Sequence, residues 1–371
     1  MRRTATVMGA AALAASVLAA GCGGTSATST KPRTTRREPE AASTTLNTPP
    51  TGTPPTANSP TIALHTSSNQ ARFTPVTTFT DEQGRVVHPR DLVAGADGNL
   101  WFTADRSRVG RITTSGEITT FDINGRVTPS GMISGPDGAL WFTTAGNAIG
   151  RITTSGALTT FPAGDNPFDP PVALAAGPDG NVWYVTVEDV FGRMTPTGEL
   201  TTFNGSDAGS DFPTAITAGP DGNLWFTTFA ARIGRITTSG EITIFGGSSA
   251  GVAFPAHIVA GADGNLWFAS TGNDRIGRIT TRGDIATFGG SDTGVKEPGP
   301  ITVGPDHELW FTNRNGRIGR ITTTGQITTY TTTRSRTHGL LGVAAGPDAN
   351  IWFTNTTTSR IGYLHPPDPP K

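Results

Sequence analysis

The sequence predicts an all-β fold, a seven-bladed β-propeller of four-stranded blades whose last blade is closed by the N-terminal strand. Three observations predict it. Trp101, Trp141, Trp183, Trp225, Trp267, Trp310 and Trp352 are all the tryptophans of the chain, spaced 40, 42, 42, 42, 43 and 42 residues apart. Each sits in a copy of one string, of which "GPDGNLWFTTFAARIGRITTSGEITIF" from Gly219 is an example. A period near forty with four short strands per unit is the signature of a propeller blade. The third observation is a displaced strand: the last copy ends at "RIGYLHPPDPPK", whereas "PVTTF", Pro75 to Phe79, stands alone before the first copy. That segment can supply the missing outer strand and remove the edge an incomplete blade would leave unpaired.

From the N-terminus, residues 1–21 carry Arg2 and Arg3, an apolar Ala/Leu/Val stretch too short to span a membrane, and "LAAGC" ending at Cys22. This is the pattern of an export signal. Ala19, Ala20 and Gly21 before the cysteine resemble a bacterial lipobox, with Leu18 one place further from Cys22 than usual. The expectation is an exported chain, lipidated at Cys22 and held to the outer face of the cell membrane. Its one cysteine excludes an intramolecular disulfide framework. Residues 22–72, rich in Thr, Ser and Pro, offer no apolar periodicity and are expected to be a disordered tether behind the anchor.

The propeller is expected over 73–365, followed by a Pro-rich tail at 366–371. In the fourth copy strand A covers Ile216 to Ala218, B surrounds Trp225, C is Arg232 to Thr237 and D is Glu241 to Phe245. Asp-Gly and Ser-Gly pairs supply the positive φ of tight hairpins. Forty-eight glycines fit such a turn-rich chain. Asp97, Asp137, Asp179, Asp221, Asp263, Asp306 and Asp348 form one ring of turn carboxylates, and Arg111, Arg151, Arg193, Arg235, Arg278 and Arg320 a ring on strand C. Use in nearly every blade marks them as scaffold: aspartate for amides of its own turn, arginine as a bridge between blades. The glycine of "IGR" is expected to give the tryptophan ring room. A formal charge of −1 gives no reason to expect nucleic acid, and a monomer is expected.

The string "GPDGNLWFT…IGRITTSGEITTF" resembles the streptogramin B lyase (virginiamycin B lyase) family over about residues 75–364. The resemblance implies a seven-bladed propeller that opens a cyclic depsipeptide antibiotic by elimination, with a histidine base and a magnesium ion. A base would take the proton α to a carbonyl while the metal stabilises the developing charge. It implies a histidine directly after the proline that opens strand A and a glutamate after "WFT". At the first place this chain has Arg90, Ser130, Val172, Thr214, Ala256, Gly299 and Leu341; at the second, Ala104, Thr144, Thr186, Thr228, Ser270, Asn313 and Asn355. No histidine stands at the first and no acid at the second. "EPGPI" keeps Glu297 and Pro298, "FPAHI" puts His257 one residue late, and His338 lies in the loop above the last blade. His257 and His338 are the candidates for a displaced base, and magnesium is expected only with retained lyase activity.

Variation concentrates in the B–C and D–A loops, which hairpin geometry puts on one face. That face is the expected binding site, since binding residues usually sit on loops held by a rigid frame. Arg90, Arg106, Arg334, Arg336 and His338 gather on the adjacent blades 7 and 1, and Glu297 and Asn355 complete the expected binding set. Asp165, Asp169, Glu188, Asp189, Asp207 and Asp211 make blades 3 and 4 acidic. Phe212, Phe229 and Phe254 are read either as a platform at the channel mouth or as packing between blades. The expected partner is a cell-envelope component, a protein or a small cyclic peptide.

Overall fold

The computed structural model describes residues 72–73, 76–81, 84, 86–105, 107–123, 128–166, 169–246, 248–290, 292–331 and 338–367. Cys22, Arg106, Arg334 and Arg336 lie outside the described residues. Seven antiparallel sheets form a seven-bladed β-propeller, each blade built from strands A to D in order. Blade 4 is typical: Pro213–Ala218, Leu224–Thr228, Ile233–Ile236 and Ile242–Phe245. The A strands of neighbouring blades pack on one another around the axis.

Blade 7 is assembled from both ends of the propeller. Leu340–Ala345, Ile351–Asn355 and Arg360–Leu364 form strands A to C, and Val76–Phe79 pairs antiparallel with the last of them as strand D. Phe79 stacks on Trp352 at 5.7 Å between ring centroids, the contact that Phe121, Phe161, Phe203, Phe245, Phe288 and Tyr330 make in their own blades at 5.3 to 5.5 Å. One strand was not foreseen: Arg72–Phe73 runs parallel to the outer strand of blade 6.

Strand B buries every side chain, because neighbouring blades cover both of its faces. Alternation then decides which ring meets which glycine. Trp101 stands opposite Arg111, whereas Phe102 stands opposite Gly110. The glycine of "IGR" therefore makes room for the phenylalanine after the tryptophan, and a methyl group on Gly110 would run into the Phe102 ring. This corrects the sequence expectation. The tryptophan's own glycine is the first of the A–B turn, Gly95 in blade 1 and Gly219 in blade 4.

The copied aspartates do more than cap their turns. In all seven blades the indole Nε1–H donates to the aspartate four residues earlier, at 2.9 to 3.1 Å. The strand C arginines lie over the tryptophan rings, 5.7 to 6.0 Å from guanidinium carbon to centroid. Arg151 and Arg320 also pair with Asp137 and Asp306 at 2.6 and 2.7 Å. Arg111, Arg193 and Arg278 reach the next blade, donating to the carbonyls of Thr154, Thr238 and Thr323. Burial would raise Asp97, Asp137, Asp221 and Asp306, but hydrogen bonds from their own turns, tryptophans and arginines outweigh it and hold these carboxyls below the usual range.

Candidate functional site on the variable rim

A β-bulge follows the residue that opens strand A in six blades. Pro213 pairs with Thr228 and Ala215 with Thr227, so Thr214 is the extra residue; Pro255 and Pro298 behave likewise. Bulges re-aim a side chain, and here they set the positions where the resembled family would have its histidine. Thr214 uses the freedom to bridge blades, donating its hydroxyl to the Pro255 carbonyl at 2.8 Å. The threonine of "WFT" does the same in three blades, Thr103 to Ser130, Thr312 to Leu341 and Thr354 to Arg90. The rim is thus stitched by hydroxyls around the axis.

At the family's glutamate position blade 1 has Ala104, and the other six side chains serve their own blade's loops. The Thr144 hydroxyl donates toward the carbonyls of Gly146 and Ala148. Thr186 and Thr228 accept from the amides of Val190 and Arg232. Ser270 holds both backbone groups of Ala253, Asn313 accepts from the Lys296 amide and Asn355 from the Thr358 amide. Among the described residues no group of three His, Cys, Asp or Glu side chains is placed to hold a metal ion. Magnesium favours carboxylate oxygen, and a hydroxyl or amide already bonded to its own loop does not supply it. These residues do not fit the ion. The Asn313 side-chain nitrogen is fully buried with no acceptor, leaving one donor unmet there.

His257 sits on strand A of blade 5, paired with Ala269 one step past the bulge. Burial pushes its pKa down to about 4, so the ring is neutral at pH 7 and a weak base. Asp91 occupies the matching place in blade 1, one residue after Arg90. Its carboxylate accepts from the Met132 amide of blade 2 at 2.8 Å and from Leu92 at 3.0 Å, yet burial outweighs these bonds and raises its pKa to about 6. His338 is exposed, and its Nδ1–H donates to the Arg314 carbonyl at 3.1 Å.

Of the arginines in the expected cationic cluster only Arg90 is described, and it is paired, as is Arg314 of the neighbouring blade 6. Arg90 makes two contacts to Asp105 at 3.0 Å, and Arg314 pairs with Glu297 at 2.6 Å. Asp105 also accepts from Nδ1 of His88 at 2.8 Å. Burial would raise this carboxyl, but the hydrogen bonds from His88 and Arg90 hold it below its ordinary value. A histidine whose Nδ1–H is held by a carboxylate keeps its Nε2 lone pair, the arrangement of an oriented base. Sequence reasoning missed His88 because it stands before Pro89 rather than after it.

The residue before the strand A proline is left-handed in four blades: His88 (φ 48°), Phe212 (61°), Phe254 (44°) and Glu297 (42°). Such a conformation costs a non-glycine residue on the order of 1–3 kcal/mol. In three of them the amide is held by a side chain from the preceding blade's B–C loop: Ser359 for His88, Asp189 for Phe212 and Asp274 for Glu297. Phe212, Phe229 and Phe254 are all exposed, Phe254 by 53%. Phe229 and Phe254 meet at 5.1 Å and 59°, and Phe229 donates its amide to Phe212 at 2.9 Å. Phe229 of blade 4 and Phe254 of blade 5 thus pack between blades, as one of the two expectations had it, and all three rings keep an exposed part.

The family model described as virginiamycin B lyase matches residues 72–210 and 291–368, more than half of the chain. The solved structure of a streptogramin B lyase is 29% identical, with a TM-score of 0.70 over 78% of this chain and 97% of its own. Virginiamycin B lyase from Staphylococcus aureus is 31% identical, with a TM-score of 0.71 over 79% of this chain and 99% of that one. The same values hold for a catalytically inactive histidine-to-alanine variant of that enzyme, solved with quinupristin. No curated protein sequence matches the chain. Matching the family model over more than half of its length and superposing over nearly the whole length of these relatives, the chain belongs to the virginiamycin B lyase family.

Proposed function

We propose that this chain is a surface-anchored binding or scaffold module of the virginiamycin B lyase family, monomeric and non-catalytic, that takes its ligand on the variable rim. One observation carries the reading: of the seven side chains at the positions of the family's glutamate, six are short hydroxyls and amides bonded to the backbone of their own blade's loops, and the seventh is Ala104. The anchor is Cys22, lipidated after export, and 22–72 is the tether that holds the propeller away from the membrane. The ligand is a cell-envelope component, a protein or a small cyclic peptide, and the balanced formal charge gives no reason to expect nucleic acid.

A second reading, a carbon–oxygen lyase acting on cyclic depsipeptides with a rearranged site, is favoured by the His88–Asp105 pair. His88 would take the α-proton at Nε2 while Asp105 holds Nδ1–H. Incubating the full chain with a streptogramin B, with and without magnesium, separates the readings by liquid chromatography with fragmentation mass spectrometry, because elimination gives a linear isomer of unchanged mass. The binding module leaves the ring closed. An opened product that disappears with His88→Ala establishes the lyase.

A further inference from the structure

We propose that Phe212, Phe229 and Phe254, with the acidic loops beside them, form a docking surface for a cationic amphipathic peptide segment of a partner protein. The inference rests on the rim-binding reading above and deepens it by naming the partner's chemistry. Four large hydrophobic side chains among the described residues are more than a third exposed, and three of them are these rings. The fourth, Leu200, is on the outer strand of blade 3. The family-model match leaves out residues 211–290, the stretch that holds all three rings.

The rings are presented by construction. Phe212 and Phe254 are held left-handed immediately before Pro213 and Pro255, a place where a bulky residue is disfavoured. The Asp189 carboxylate fixes Phe212 by accepting its amide at 2.6 Å. Phe254 lies over Gly272, where a methyl group would collide with its ring. An exposed aromatic cluster on a rigid frame is the usual anchor site of a protein interface.

Charge selects the occupant. Asp165, Asp169, Glu188, Asp189, Asp207 and Asp211 crowd the loops of blades 3 and 4, and Arg232 answers only Asp211, at 3.2 Å. Burial raises Asp169 and Asp189, with a smaller rise from neighbouring carboxylates, so the negative charge open to a partner comes mainly from the more exposed Asp207 and Asp211. On the far side of Phe254 the charges cancel in pairs, Lys296 with Asp274 and Arg314 with Glu297. A partner segment that places apolar side chains on the rings and Lys or Arg toward blade 3 matches both features, with further gain from cations over the ring faces.

The test is fluorescence anisotropy of the full chain with a labelled synthetic peptide of Lys, Leu and Trp, against the same peptide with Glu in place of Lys. Saturable binding of the Lys peptide alone is expected, weakened about tenfold by Phe254→Ala. Asp207→Asn with Asp211→Asn is expected to weaken binding mainly at low salt and to flatten its salt dependence. Because Phe254 and Asp207 are exposed, unchanged circular dichroism is expected for these variants. No binding of the Lys peptide, equal binding of the Glu peptide, or full affinity in Phe254→Ala overturns the proposal. Ring opening of a streptogramin together with peptide binding overturns the non-catalytic reading and leaves this one standing. The absence of both does the reverse.

Discussion

Removing the His257 side chain should change how the stability of the propeller depends on pH. In the folded chain burial pulls the His257 pKa down to about 4, against an ordinary 6.5. The unfolded chain therefore binds a proton that the folded chain refuses over the window between those values. This group's contribution is neutral above pH 7 and turns unfavourable as the pH falls through 6.5 toward 4. At pH 4.5 the two values give a penalty of about 2.5 kcal/mol, reduced to roughly 2 kcal/mol because His257 as a residue is only partly buried. Urea unfolding of wild type and His257→Gln at pH 7.5 and pH 4.5 reads the difference directly. Any packing loss is common to both pH values, so wild type should lose about 2 kcal/mol relative to the variant on acidification. Carbon NMR of the ring should show no protonation between pH 7 and 5. Parallel pH profiles of the two proteins, or a ring that titrates near 6.5, would refute the burial argument and restore His257 as a base for chemistry at neutral pH.

The opposite sign is expected at Asp91, where the folded pKa of about 6 lies above the ordinary carboxyl value. Wild type should gain about 1–2 kcal/mol relative to Asp91→Asn between pH 7.5 and pH 4.5, and equal profiles would contradict the assignment. Phe79→Ala should cost about 2 kcal/mol, less than a fully buried phenylalanine because Phe79 is half-buried. Phe203→Ala, which removes the same stack within blade 3, should cost a similar amount. Only the first should speed amide exchange in Val76–Phe79 and its partner Arg360–Leu364, and unchanged exchange there would mean the ring is not closed by that strand.

Much of the frame was legible because it repeats. Seven tryptophans in register reveal seven blades, and "PVTTF" standing apart from its copy locates the closure. What repetition hides is which neighbour each copied letter serves. The "IGR" glycine follows the tryptophan strand in sequence, but alternation puts Phe102, not Trp101, over Gly110. The indole–aspartate bond spans the A–B turn and needs the hairpin to be seen. The rim was the least legible part. The bulge after Pro213 has no composition of its own, and left-handed Phe212 and Phe254 carry none of the glycine signal that marks positive φ. His88 escaped notice because its partner Asp105 is brought to it by the hairpin between strands A and B.

The central claim is that the copied residues hold the frame and that the family's histidine and glutamate are replaced at their own positions, the ground on which a non-catalytic rim is proposed. A single-turnover experiment tests it most directly: the full chain in excess over a streptogramin B, with magnesium, followed by liquid chromatography with fragmentation mass spectrometry, which separates the linear isomer from the ring of equal mass, until the uncatalysed background is resolved. An intact ring throughout, at the rate of the protein-free control, is the predicted result. Linear product formed faster than the control and lost in His88→Ala would contradict it.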